Sequence, residues 1–324
     1  MNLDNIYKYG KDITWSLPLL FEFEPCYSLV YEILKQNGIN LPPVNIFGSY
    51  ATLLWCGGRA KSSYHPTLKQ VKYTFDYVKN FNGVPTLTFT NTLLNKADLN
   101  DKQCNQLLDL AMEYDAHIIV FSDMLKDYIK NKYPNAYIVA SVIKPIFEFL
   151  DKNKKEKYCN TEEETRYYNN LIKEYDLVVV RPEYVVNTLL KNQNKITDLS
   201  KIEVLINHYC IINCPKAIVH YNSISNFFKN NEPPMYCLKQ TTESEKINSK
   251  LSLTTDNIET LVKLGIRHLK IQGRGNQIPP SFFLNMICNK LFNTEGDFDY
   301  LFNFYISHQF PHEFTSFYKK LNSL

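Results

Sequence analysis

Three cysteines in the second half of the chain are the residues whose type and spacing best suit metal binding. Cys210 and Cys214 lie four positions apart, and Cys237 follows further along. Thiolates are favoured ligands of zinc and of iron–sulfur clusters, so these residues predict a metal site. A structural zinc site could take His208 or His220 as a further ligand. Three unligated buried thiols are the alternative, because the offset is a weak signal and no Cys-x-x-Cys pair is present.

A [4Fe–4S] cluster normally takes four cysteine ligands, so a fourth ligand has to be found. Cys56 is the best candidate, since it precedes Gly57-Gly58-Arg59 in the loop after the second predicted strand. A cluster with one iron open to substrate or to a non-cysteine ligand is the alternative.

Two arginines follow glycines near predicted strand ends, and they could bind a carboxylate or phosphate. They are Arg59 and Arg274, and a tight turn with a surface arginine is the alternative reading for each. His208 and His220 are candidates to move protons, since histidine titrates near neutral pH. The other candidate substrate-binding residues stand just past predicted strands and are Asn91, Arg181 and Asn207.

These residues must be positioned by a fold in which short β-branched runs alternate with amphipathic helices. The eight predicted strands are residues 13–16, 44–47, 86–89, 117–121, 137–140, 177–180, 203–206 and 268–271. Apolar residues at consecutive positions, as in 177–180, indicate parallel strands covered on both faces. Eight such units predict an α/β fold, a TIM-like (β/α)8 barrel, in which the loops after the strands form the active face.

We expect residues 1–275 to form the barrel, with a cysteine-bearing loop at about 209–250. Residues 251–253 are expected to be an extended lead-in to the last barrel helix, and Thr255 or Asp256 to be the N-cap of that helix. Residues 276–324 are expected to form aromatic-rich helices packed on the barrel as an extension of the same domain.

The composition limits the class of protein. The chain has 324 residues, 44% of them hydrophobic, and a net charge of +3, which argues for a large core and against a nucleic-acid-binding surface. No apolar run approaches the length of a membrane span. The polar N-terminus, which begins Met1-Asn2-Leu3-Asp4, argues against a secretory signal. We therefore expect a cytoplasmic protein with reduced cysteines.

Several motifs taken together resemble proteins of the peptidase U-32 family. The first is the run at 201–215, KIEVLINHYCIINCP, which is followed by His220-Tyr221. The second is the closing run at 265–274, GIRHLKIQGR. The segments at 57–59, 85–91 and 236–238 fit the same pattern, so the resemblance spans roughly residues 44 to 275.

The resemblance implies a TIM-like barrel and either of two activities. Some members are collagenase-like peptidases, and others are iron–sulfur proteins that hydroxylate ubiquinone precursors or RNA bases without oxygen. The better-understood members hold a [4Fe–4S] cluster on four cysteines. This chain has His208 where relatives often have an acid and Ala217 where they often have an arginine, so it looks like a divergent branch.

Three functions stay open. The leading one is an iron–sulfur enzyme that carries out oxygen-independent hydroxylation, or a related modification, of an acidic small or conjugated substrate. The second is a collagenase-like peptidase, although no HExxH motif or Ser–His–Asp order is recognisable. The third is a non-catalytic binding or partner subunit with a structural zinc site. Relatives can act as pairs, so a homologous partner subunit is a further expectation.

Overall fold

The computed structural model describes residues 7–18, 20, 21, 31, 35, 38, 42–50, 53–57, 66–152, 161–191, 195–208, 214, 216–234, 251–272 and 290–292; of residues 150–152 and 251 it describes the backbone only. Eight parallel strands form a closed barrel, and they are β1 (Thr14–Pro18), β2 (Val44–Gly48), β3 (Val84–Phe89), β4 (His117–Val120), β5 (Ile138–Ala140), β6 (Leu177–Val180), β7 (Ile202–Leu205) and β10 (His268–Lys270). Around the barrel the strands follow the order β1-β10-β7-β6-β5-β4-β3-β2. The predicted TIM-like barrel is confirmed, and all eight predicted strands are barrel strands.

Helices alternate with these strands along the chain. They are α1 (Leu68–Asn80), α2 (Lys102–Glu113), α3 (Asp123–Lys132), α4 (Ile143–Lys152), α5 (Thr161–Glu174), α6 (Pro182–Tyr184), α7 (Ala217–Asn230) and α8 (Thr255–Leu264). Short 3-10 turns lie at Lys96–Asn100 and Leu199–Lys201, and a π-helical turn lies at Val185–Leu189. None of the helices in the described part of the chain is both long and apolar enough to span a bilayer.

Alternate residues of each strand pack into different apolar cores, which explains the consecutive apolar runs. On β4 and β6, Ile118, Val120, Val178 and Val180 point outward into the main core beneath the helices. The barrel interior is a smaller cluster built from Ile119, Val139, Leu177, Val179 and Leu205. The two clusters together cover both faces of the sheet, as a parallel barrel requires.

Two features between β7 and β10 differ from the prediction. Leu251–Ser252 is a strand, β9, which pairs antiparallel with β8 (Asn207–His208) outside the barrel. This segment was expected to be only an extended lead-in; it pairs because the chain leaving β7 continues extended through Asn207. The N-cap of α8 is Thr254 rather than Thr255 or Asp256, since the Thr254 hydroxyl accepts a hydrogen bond from the backbone N–H of Asn257.

The loop expected at about 209–250 contains a helix, α7. Of the predicted C-terminal extension, the described residues are Lys290–Phe292. There Leu291 and Phe292 are buried. The backbone N–H of Lys8 donates to the carbonyl of Leu291, and the Tyr7 and Phe292 rings lie 6.0 Å apart.

Candidate active site

Helix α7 follows β7 in the chain but lies against the loop after β3 and against α4. The chain enters α7 after β7, yet the helix ends against the loop after β3, which is diametrically opposite β7 in the strand order. The Lys229 ammonium donates to the Asp98 carboxylate at 2.7 Å and to the carbonyl of Leu93 at 3.0 Å. Helix α8 occupies the usual position of a crossover helix, and its Ile258 and Leu261 are buried in the main core.

The contact of α7 with the loop after β3 is mostly polar. The Thr92 hydroxyl donates to the Asn222 side-chain oxygen at 2.7 Å, and the Thr92 backbone N–H donates to the Ser225 hydroxyl at 2.9 Å. On the side of α4, the rings of Phe147 and Tyr221 lie 6.5 Å apart. Polar contacts of this kind fix the position of α7 without burying a large apolar surface.

A buried pair of charges lies inside the barrel. Glu203 of β7 and Lys270 of β10 are 1% and 7% exposed. The Lys270 Nζ lies 2.8 Å from Glu203 Oε2, and the Ser16 hydroxyl donates to Glu203 Oε1 at 2.5 Å. A buried ion pair is weak evidence for stability, because removing two charges from water offsets most of their attraction. A buried pair of charges that stability does not explain is a candidate for function.

Aromatic and polar residues surround this pair. The Lys270 ammonium lies over the Phe47 ring, 4.1 Å from its centroid, and Asn45 Nδ2 lies 3.5 Å from the Ser16 hydroxyl oxygen. Two histidines, His117 and His268, begin β4 and β10. Burial lowers the pKa of both, that of His117 to about 4, so the imidazoles are neutral near pH 7.

Glu203 and Lys270 are not among the predicted site residues, because they lie within strands and the predicted residues stand just past them. The signal is present nonetheless. Each is a charged residue at one of the alternate positions that face the barrel interior, and the remaining residues of β7 are apolar.

Asn91 was selected as a substrate-binding residue, and it is fully buried. Its side-chain amide donates to the carbonyls of Leu54 and Ser225, and its side-chain oxygen accepts from the Leu93 backbone N–H at 2.8 Å. In this arrangement the Asn91 side chain joins α7 to the loops after β2 and β3.

Arg181 stands just past β6, as expected, and its guanidinium is engaged by an acid. Nε and Nη2 of Arg181 donate to the two carboxylate oxygens of Glu164 on α5, at 2.5 and 2.9 Å. Both side chains are buried, and the charge of Glu164 raises the pKa of Arg181 despite burial.

Asn207 and His208 form β8, just past the end of β7, and both are buried. The Asn207 amide donates to the Gln272 carbonyl at 3.0 Å and its oxygen accepts from the Gln272 N–H at 2.7 Å, so this side chain continues the pairing of β7 with β10. His208 stands on β8 opposite Leu251. His220 lies on α7 and is half-buried, with its ring 6.1 Å from that of Tyr221.

The described cysteines have different surroundings. Cys56 and Cys104 are fully buried in the main core, and burial raises the pKa of Cys56 to about 12, which keeps its thiol neutral. Gly57 beside it lies against the backbone of Thr90, where a Cβ would come within 2.3 Å of the carbonyl oxygen. Cys214 is partly exposed, and its carbonyl accepts from the Ala217 N–H at the start of α7.

Several predicted site residues lie outside the described part of the chain and stay predictions. They are Arg59, Cys210, Cys237 and Arg274. Within the described ranges, no group of three or more His, Cys, Asp or Glu side chains could hold a metal ion. The predicted cluster site therefore depends on Cys214 together with residues beyond these ranges.

Among the solved structures there are chains that this one resembles. No family model matches the chain, and no curated protein matches it. The chain is similar to the solved structure of the U32 peptidase Mk0906, with 10% sequence identity and a TM-score of 0.45. That similarity covers 82% of this chain and 93% of the other. The strand order establishes the barrel, and a structural similarity at this level does not assign a reaction.

Proposed function

We propose that this protein is an enzyme acting at the carboxyl-terminal mouth of its barrel, beneath α7, on an acidic small or conjugated substrate. The observation that supports this is the buried pair of Glu203 and Lys270 inside a barrel whose α7 follows β7 and is attached to the loop after β3. A barrel interior needs no charge to fold, since apolar side chains fill it equally well. A covered polar site at this end of a barrel is the usual arrangement for catalysis.

We propose further that the enzyme carries a [4Fe–4S] cluster on Cys210, Cys214 and Cys237. The partly exposed thiol of Cys214 suits metal binding, and it stands where the chain turns into α7 at the mouth. Cys56, the candidate fourth ligand, has the surroundings of a core residue, which favours a cluster with one iron open to another ligand. The cluster would supply electron transfer for oxygen-independent hydroxylation, and zinc is the alternative metal.

The other groups have roles that follow from their chemistry. Arg59 and Arg274 would bind the acidic group of the substrate, and His208 or His220 would move protons near neutral pH. Helix α7 would exclude water from the site. Its polar attachment to the loop after β3 would hold it in place over substrate.

The experiment that tests this proposal is anaerobic purification followed by metal and sulfide analysis. We expect brown protein with about four iron and four sulfide per chain. Colourless protein with one zinc per chain would contradict the cluster and favour a non-catalytic subunit with a structural site. Colourless, metal-free protein that cleaves a collagen-derived peptide would favour the peptidase instead.

A further inference from the structure

Lys270 is a buried ammonium whose hydrogen bonds are incomplete among the described residues. A lysine ammonium has three N–H donors. One donates to Glu203 at 2.8 Å. The ammonium also lies over the Phe47 ring, with Nζ 4.1 Å from the ring centroid. No other described residue accepts a hydrogen bond from Lys270, which leaves at least one donor for another group.

A second buried lysine in the same protein has an acceptor for each of its three N–H donors. Lys144 of α4 is 8% exposed, close to the 7% of Lys270. Its ammonium donates to the Phe121 carbonyl at 3.0 Å and to both carboxylate oxygens of Asp123 at 2.9 Å. Because an unsatisfied buried donor is costly, the difference at Lys270 points to an acceptor that arrives from outside.

Charge restricts what that acceptor can be. Glu203 already neutralises Lys270, and the Ser16 hydroxyl satisfies the other carboxylate oxygen of Glu203. A further anion would therefore bring a negative charge into the barrel without a counterion, which is strongly unfavourable. A carbonyl, amide or hydroxyl oxygen accepts the hydrogen bond without that penalty. Lys270 is the last residue of β10 and pairs in register with Leu205, whereas Glu203 pairs with His268, so Lys270 is the member of the pair nearer the carboxyl-terminal mouth.

We infer that the Lys270 ammonium, held by Glu203, is a binding position for an uncharged oxygen acceptor of a ligand. This goes beyond the proposed function, since it requires neither a cluster nor hydroxylation. It sets the chemistry of this one position: an uncharged carbonyl or hydroxyl group is accepted there, and a carboxylate or phosphate is disfavoured.

The test uses acetamide as an uncharged probe and sodium acetate as its charged counterpart. Protein labelled with ¹³C at lysine Cε is titrated with each at equal ionic strength, and the Lys270 signal is assigned by its loss in Lys270→Met. We expect a saturable shift of the Lys270 signal with acetamide and about tenfold weaker binding of acetate. The Lys144 signal is the internal control and is expected to stay in place.

A second variant tests the role of charge separately. Glu203→Gln keeps the shape of the side chain but removes the counterion, so we expect its preference to reverse in favour of acetate. The inference is overturned if wild-type protein binds acetate as well as acetamide, if neither probe moves the Lys270 signal, or if Lys144 shifts equally. Each of these results leaves the iron content of the protein, and so the proposed function, to be decided independently.

Discussion

Lys229 and Asp98 are joined at 2.7 Å, so a helix that follows β7 is attached to the loop that follows β3. Asp98 is itself held in place, because the same carboxylate oxygen accepts from the backbone N–H of Asn95 at 2.7 Å. The attachment is therefore a fixed point on the barrel rather than a contact between two free side chains.

Removing this attachment is predicted to loosen α7 alone. Lys229→Met keeps the length of the side chain but loses hydrogen bonds to Asp98 and the Leu93 carbonyl. Hydrogen bonds to charged groups contribute roughly 1.5–3 kcal/mol, so amide exchange in α7 should be at least about tenfold faster. Hydrogen exchange followed by mass spectrometry measures this, and the barrel strands should keep their protection.

The matched control is Lys263→Met on α8. Lys263 is largely exposed and lies 4.0 Å from Glu259, so its loss should change exchange little anywhere. Unchanged exchange in α7 of the Lys229 variant would show that its ion pair does not hold the helix.

Arg181 is predicted to act chiefly on stability. Arg181→Met leaves the carboxylate of Glu164 buried without its partner, which typically costs about 3–5 kcal/mol. Urea unfolding followed by circular dichroism should show the midpoint falling without a change in slope.

The double variant Arg181→Met with Glu164→Gln separates the charge from the packing. Because it leaves no unpaired carboxylate, it should recover most of the lost stability. If the single variant were as stable as wild type and lost only substrate binding, Arg181 would be a binding residue, as its position past β6 first suggested.

The neutral state of His117 predicts a loss of stability in acid. Burial lowers the pKa of His117 from 6.5 in the unfolded chain to about 4, so the unfolded state binds more protons between these pH values. The contribution of His117 is fully present above about pH 6.5 and is lost as the pH falls towards 4. The total change in the free energy of unfolding from this effect is up to about 3 kcal/mol.

His117→Phe isolates this effect, since it keeps an aromatic ring against Tyr137, whose ring is 3.9 Å away. Free energies of unfolding measured at pH 7 and pH 5 should differ less in the variant than in wild type. Equal differences in the two proteins would mean that His117 has the same pKa in the folded and in the unfolded chain.

The barrel was predictable because each strand carries its own local signal. The run Leu177–Val180 is buried on both faces, so its consecutive apolar residues identify it without any knowledge of the rest of the chain. Helix α7 was not predicted because it buries few apolar residues, among them Ile224, and is held largely by polar contacts. Such contacts depend on partners far away in the sequence and leave no periodic pattern.

In the candidate site too, the positions of residues were predictable but their partners were not. The position of Arg181 past a strand was predictable, but its partner Glu164 could not be, because pairing is decided by how α5 packs. Likewise, Asn91 was correctly placed at a strand end, yet its amide bonds the backbone of two other segments. Glu203 and Lys270 could have been found by asking which charged residues fall on inward positions of the predicted strands.

The central claim is tested most directly by the iron content of anaerobically purified wild type, Cys214→Ala and Cys104→Ala. Cys104 is the control because it is a fully buried core cysteine whose pKa is raised by burial. We predict about four iron per chain in wild type and in Cys104→Ala, and a large loss in a Cys214→Ala protein that remains folded. Absence of iron from the wild type, or full iron in Cys214→Ala, would contradict the account.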